Sequence, residues 1–272
     1  MSPFQALVLG LVQGLTEFLP ISSTAHLRIV PHFLGWGDPG IAFSAVIQLG
    51  TLAAVFVYFA KDIGRLTLAA LVSLKERNLS HSADSRMAWA IVPGTVPIAV
   101  LGLSFKGFIE TEARSLTIIA LALIVLALLL MLAERRGRQE HSMEELGFWQ
   151  IQFIGLCQAL ALIPGCSRSG STIMGGLFIG LRREEAARFS FILGLPAIGA
   201  SGLLEFLDLL EMGLGSEGLL NVGIGVAAAA VSGYLSIGFL LRFLARRGTD
   251  LFSVYRIALG LVILASVHYF SA

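Results

Sequence analysis

Gln13-Gly14-Leu15-Thr16-Glu17-Phe18-Leu19-Pro20-Ile21-Ser22-Ser23-Thr24-Ala25-His26 lies inside an apolar stretch, residues 4–34, that is long enough to cross a bilayer but cannot do so as one helix. Gln13 and Glu17 are four residues apart and share a helix face. Pro20 ends that helix, because it lacks an N–H and its ring collides with the preceding turn. Ser22, Ser23 and Thr24 are suited to cap a second half-helix, and His26 follows Ser23 by about one turn. The stretch therefore predicts helix, break, helix, with a carboxylate, hydroxyls and an imidazole gathered at the break.

A second stretch, residues 148–181, is built the same way. Gly10-Leu11-Val12-Gln13-Gly14-Leu15 matches Gly155-Leu156-Cys157-Gln158-Ala159-Leu160 at an offset of 145. Leu19-Pro20 matches Ile163-Pro164 at 144, and Phe43-Ser44 matches Phe189-Ser190 at 146. Three matches at nearly one offset predict an internal repeat, with copies at about residues 1–133 and 148–270 of a single membrane domain spanning 1–272.

The rest of the chain explains where such stretches belong. Of 272 residues, 56% are hydrophobic and 14% charged, and mean hydropathy is +0.83. Soluble domains carry about 25% charged residues, and a folded chain this apolar could not hide its surface from water. This composition excludes a nucleic-acid binder, and a net charge of +1 gives no electrostatic clue to a partner. Cys157 and Cys166 are too few for a disulfide framework or a zinc site and read as small packed hydrophobes. The first basic residue is Arg28, so the first apolar stretch lacks a signal-peptide n-region and is expected to stay in the mature protein. Clean spans of about 20 residues are predicted at 41–60, 87–105, 115–133, 188–207, 219–241 and 251–270. The fold class is all-α: a polytopic membrane protein with six clean transmembrane helices and two broken or re-entrant hairpins.

Basic residues orient the chain. Lys61, Arg65, Lys75, Arg77 and Arg86, then Arg135, Arg136 and Arg138, then Arg182, Arg183 and Arg188, then Arg242, Arg246 and Arg247 mark four cytoplasmic segments. The acidic segment 208–217 is placed outside, as are Lys106 and Arg114, which Glu110 and Glu112 balance. The first broken stretch then enters and leaves from outside and the second from the cytoplasm. That is an inverted-topology repeat, an architecture whose broken helices meet near the midplane and build the site there.

Pro164-Gly165-Cys166-Ser167-Arg168-Ser169-Gly170-Ser171-Thr172 is the second break, a Gly/Ser-rich loop opening a helix. Free amides at a helix start bind anions, and a guanidinium binds phosphate oxygens in pairs. An arginine inside a membrane segment needs a polar cavity and a partner. An anion clamp facing a hydroxyl with its acid or base suits phosphoryl transfer. Glu17 paired to Arg168 for structure alone, and Ser22, Ser167 and Ser169 as plain helix caps, are the competing readings. Gln48 lies within a span and is a candidate to line the site; Glu205 is near a span end. His32 and His268 read as interfacial, His81 and His141 as solvated. Small residues at 227–233 suit close helix packing, within the chain or in a homodimer.

The two motifs, residues 17–26 and 164–172, resemble the signatures of the undecaprenyl pyrophosphate phosphatase family, the bacitracin-resistance proteins. The resemblance extends over essentially the whole chain, including Tyr255-Arg256. It implies hydrolysis of undecaprenyl pyrophosphate to undecaprenyl phosphate and inorganic phosphate in the bacterial inner membrane. It further implies a site open to the outer face, recycling of the cell-wall lipid carrier and bacitracin resistance. By position it implies Ser23 as nucleophile, Glu17 and His26 as acid–base partners, and Arg168 as the phosphate holder, helped by Ser167, Ser169 and Thr172. Gln13, Ser22, Thr24 and Gln48 complete the expected substrate-binding set. Other members carry Glu where this chain has Gln13, which removes one metal-binding carboxylate. No metal ligand is therefore assigned, although Glu17 with Gln13 leaves a divalent cation, Mg2+ or Ca2+, open. The residues alone do not rank Ser23, His26 and water as nucleophile. The alternative function is a transporter or flippase of an anionic polyprenyl lipid, since broken helices in inverted repeats are transporter architecture.

Overall fold

The computed structural model describes residues 1–211 and 215–271. Its helices are α1 (Pro3–Glu17), α2 (Ser23–Leu34), α3 (Ile41–Val46), α4 (Gln48–Tyr58), α5 (Ala60–Lys75), α6 (Ala83–Ser104) and α7 (Lys106–Glu110). They continue as α8 (Leu116–Arg136), α9 (Phe148–Ala159), α10 (Arg168–Phe178), α11 (Arg183–Glu211), α12 (Ser216–Leu244) and α13 (Asp250–Ser271). No strand occurs among the described residues beyond an isolated bridge between His141 and Leu181. Among the described residues, five helices are long and apolar enough to cross a membrane: Ala83–Ser104, Leu116–Arg136, Arg183–Asp208, Glu217–Leu244 and Asp250–Tyr269. The chain is a multi-pass membrane protein. The centre of the acidic segment expected outside, residues 212–214, lies outside the described residues.

The span expected at 41–60 is shaped differently from the others. It continues past Tyr58 into α5, and the two meet at 81°. Lys61 and Arg65, expected in a loop, are therefore helical. The sequence of α5 explains the bend. Lys61, Asp62 and Arg65 cannot enter hydrocarbon, while Leu68, Leu71 and Leu74 are exposed along the same helix. A helix with such mixed faces suits the membrane interface, and the bent pair together amounts to at most one span.

The two broken stretches are helix pairs. At 1.5 Å per residue, α1 spans about 22 Å, and α2, α9 and α10 span about 16–18 Å each, so none crosses a hydrocarbon core of about 30 Å alone. The breaks match in detail. Ser22 (φ 74°, ψ 97°) and Ser167 (φ 67°, ψ 120°) both take a left-handed backbone at the cap of the second half-helix. Each caps that helix with its hydroxyl, Ser22 on the Ala25 amide and Ser167 on the Gly170 amide. Each also shares a hydrogen bond with the hydroxyl two residues on, Thr24 or Ser169. Every one of these pairs stands at the offset of 145 seen in the sequence.

Packing repeats the correspondence. α1 packs on α12, and α9 packs on α6. Gly10 lies so close to α12 that a Cβ there would strike the Gly225 carbonyl, and a Cβ on Gly155 would strike the Gly94 carbonyl of α6. α8 and α13 pack on each other. The small residues at 227–233 are used within the chain, where Ala229 and Gly233 lie against Gly14.

Candidate active site

The two breaks meet. The Ser169 hydroxyl donates to the carbonyl oxygens of Glu17 and Leu19, both at 3.1 Å. Arg256 of α13, fully buried, stitches the breaks together from behind. Its guanidinium donates to Pro20 O at 3.0 Å, Gly165 O at 2.8 Å, Cys166 O at 3.2 Å and Leu123 O at 3.2 Å. Breaks leave carbonyls without helical partners, and a cation among carbonyl dipoles satisfies them without introducing a competing carboxylate.

At the centre stands Glu17. Its Oε2 accepts the Ser23 hydroxyl at 2.6 Å and the Gln13 amide Nε2 at 2.9 Å. Its Oε1 accepts Arg168 Nη2 at 3.2 Å. The carboxylate comes from the last turn of α1, the hydroxyl from the first turn of α2 and the guanidinium from the first turn of α10. Ser23 and Arg168 occupy equivalent positions, 145 residues apart. The side chains of Glu17 and Arg168 are 5% and 9% exposed, so the ion pair is screened by protein rather than water. Arg168 is not fully used. Nη1 donates to Ser190 O at 3.3 Å, while Nε is buried with no partner among the described residues. Gln13 Oε1 is likewise buried and unpartnered. Groups of this kind are rare in folded proteins, and here two of them flank one carboxylate.

His26 is held away from this cluster. Its Nδ1 lies 2.7 Å from Ser22 O, an acceptor, so Nδ1 carries the proton. Nε2 then accepts the Tyr255 hydroxyl at 2.7 Å. Thr172 bonds the Arg168 and Ser169 carbonyls and the Ser190 hydroxyl, and so buttresses the Arg168 turn. Gln48 starts α4, half-buried, and no hydrogen bond ties its side chain to the cluster.

Three contributors have no motif of their own. Tyr255 and Arg256 entered the sequence reading only through the resemblance. An arginine inside the last apolar span is nevertheless the signal that singled out Arg168, and it applies to Arg256 equally. Gly194 of α11 leaves the space that the Arg168 guanidinium fills, since a Cβ there would overlap Nη1. Beyond Glu17, Phe18 packs on Phe191 (centroids 5.1 Å) and Phe191 on Phe59 (6.0 Å), an aromatic floor leading toward Tyr58.

Fold and site together define a polytopic membrane protein with a buried serine–carboxylate–arginine centre assembled from two broken helices. Comparison with known proteins narrows this class. Residues 6–262 match the family model described as bacitracin resistance protein BacA. A protein of Chloroherpeton thalassium named undecaprenyl-diphosphatase is 53% identical over 97% of this chain and 96% of its own. Relatives of the same name from Chlorobium phaeobacteroides (51%, covering 98% of both chains) and Myxococcus xanthus (50%, covering 97% of this chain and 89% of its own) are similarly close. The chain belongs to the BacA family.

Proposed function

We infer that this protein is an undecaprenyl pyrophosphate phosphatase, which hydrolyses the pyrophosphate to undecaprenyl phosphate and inorganic phosphate. The observation that carries the reading is the Ser23 hydroxyl, donating at 2.6 Å to a buried carboxylate that also faces an arginine. A serine needs an adjacent base to attack, and Glu17 is in place to take its proton. Ser23 Oγ attacks the terminal phosphorus, and the bridging P–O bond breaks to release undecaprenyl phosphate. Water then cleaves the serine phosphoester, releasing inorganic phosphate and returning the proton to Ser23 by way of Glu17. Arg168 turns its unpartnered Nε and its Nη2 to the phosphate oxygens, supplying the charge neutralisation that dominates phosphoryl transfer. Nε2 of His26 accepts the Tyr255 hydroxyl, so His26 acts as the acid only once that bond opens and Nε2 takes up a proton from water, which it then gives to the leaving oxygen. Ser22 and Ser167 cap the starts of α2 and α10 through the Ala25 and Gly170 amides, and Thr24 and Ser169 hold those caps, so both helix starts are fixed for an anion.

The donor set fits a divalent cation, Mg2+ or Ca2+, shared with the substrate. Glu17 and the unpartnered Gln13 Oε1 would hold it, with substrate oxygens completing the shell. Such an ion supplies neutralisation of pyrophosphate charge. The equivalence of the two helix pairs supports reading the chain as inverted repeats, 1–133 and 148–270. The arginine-rich helix ends support a cytoplasmic placement for that side in the bacterial inner membrane. The site then opens to the outer face, on the side of Arg28, Asp38 and Arg114. Recycling of the wall lipid carrier and bacitracin resistance follow from the activity.

The test is phosphate release from undecaprenyl pyrophosphate by purified protein, beside Ser23→Ala and Arg168→Ala, with and without chelator. Release by wild type and loss of about 10²-fold or more in both variants is expected. No release by folded wild type supplied with divalent cation would overturn the reading and favour lipid transport.

A further inference from the structure

At the arginine-rich end lies a groove lined by none of the residues of the Glu17 centre. Its walls are Tyr58 at the end of α4 and Tyr234, Phe239 and Phe243 on α12, and its rim carries Arg242 and Arg246. Tyr58 and Tyr234 face each other at a centroid distance of 5.3 Å, and Gly238 leaves the space between helix and ring open. The volume, about 760 Å³, is in the range of small-ligand sites.

The charges around it are unevenly answered. At the same end, Arg65 pairs with Asp62, Asp84 and Glu144, Arg188 with Asp62 and Glu185, and Arg183 with Glu134. Arg242 and Arg246 have no carboxylate partner among the described residues, and both are exposed. An aromatic trough with two unanswered guanidiniums at its rim is complementary to one kind of molecule: an amphiphile with an apolar tail and an anionic head. Guanidinium pairs with phosphate in fork geometry. At the edge of a membrane the abundant molecule of that description is an anionic phospholipid, whose headgroup attracts basic residues on the cytoplasmic side.

We propose that this groove binds an anionic glycerophospholipid of the cytoplasmic leaflet, with its phosphate on Arg242 and Arg246 and an acyl chain against Tyr58, Tyr234 and Phe239. The site is distinct from the catalytic centre: it shares no residue with the Glu17–Ser23–Arg168 cluster, and its occupant does not react.

Native mass spectrometry of the full-length protein in detergent, titrated with dioleoyl phosphatidylglycerol or dioleoyl phosphatidylcholine, tests this. Wild type is expected to retain phosphatidylglycerol about 10-fold more tightly than phosphatidylcholine. Arg242→Gln with Arg246→Gln should abolish that preference. Gly238→Leu should also abolish it while keeping both arginines, because the added side chain fills the trough beside Tyr58. Arg135→Gln with Arg136→Gln removes two exposed arginines from the same end but outside the groove and should leave the preference intact. Equal loss in that control would show diffuse charge attraction and overturn the site. Wild-type retention by Gly238→Leu would overturn it too, as would displacement of the lipid by millimolar inorganic phosphate, which would mark a free-phosphate site.

Discussion

Glu17 serves three donors with two oxygens, and the division of labour between them sets what each substitution does. Ser23→Ala removes the hydroxyl from Oε2 but leaves Gln13 and Arg168 on the carboxylate, so the fold should survive while turnover falls about 10²-fold or more. Equal melting temperatures with unequal phosphate release would display that split. Gly194→Ala is a subtler probe. The new methyl would occupy the place of Arg168 Nη1, and the guanidinium, being the far end of a flexible side chain, would shift rather than the backbone. Misplacing a catalytic group by about 1 Å costs on the order of 10²-fold. Gly194→Ala should therefore lower kcat strongly with little change in melting temperature; a wild-type rate would show that Arg168 does not need its present position. Most of these residues were legible in sequence, because hydroxyls and an ionisable pair inside apolar stretches have few reasons to be there. Gly194 was not legible. Its role is a missing atom, and among 30 glycines nothing in the chain distinguishes it.

At the scale of elements, the α2 helix couples the site to the end that carries Arg28, Asp38 and Arg114. It begins at Ser23 and reaches Arg28 in about 7 Å of helix rise. There Asp38 accepts Arg28 at 2.9 Å and Arg114 Nη2 at 2.9 Å, fastening the loop after α2 to the turn that precedes α8. Burial raises the Asp38 carboxyl, but the Gly40 amide, Arg114 and Arg28 outweigh it and hold the group below its ordinary value of 3.8. A depressed carboxyl contributes stability that is fully present above the unfolded value and is lost as pH falls through the folded one. The loop should thus stay fully protected above pH 3.8 and open only as pH falls further, through the lowered folded-state value. Hydrogen exchange of residues 35–40 should show this, and Asp38→Asn should abolish the acid-induced change by opening the loop at every pH. The pairing of the two breaks was readable from the offset of 145, because both copies use the same cap chemistry. The 81° turn into α5 was not, because a charge-bearing continuation of a span reads equally well as a loop or as an interfacial helix until its packing against α6 is known.

At the scale of the whole molecule, one side chain holds the two halves in register. Arg256 binds a carbonyl from the first break (Pro20), two from the second (Gly165 and Cys166) and one from α8 (Leu123), and it is fully buried. A cation at this depth is costly unless so satisfied, and each carbonyl left bare by its removal costs about 1–3 kcal/mol. Arg256→Met should therefore lower the melting temperature and also abolish turnover, whereas Ser23→Ala abolishes turnover alone. Arg256→Lys sharpens the distinction. A single ammonium cannot reach carbonyls that diverge around a planar guanidinium, so lysine should recover part of the stability but little of the activity, because Ser23 and Arg168 sit on separate breaks and must be brought to one carboxylate. Turnover restored in proportion to stability would instead mean that Arg256 only holds the fold, and that the alignment of the two breaks is set by Ser169 and its bonds to the carbonyls of Glu17 and Leu19.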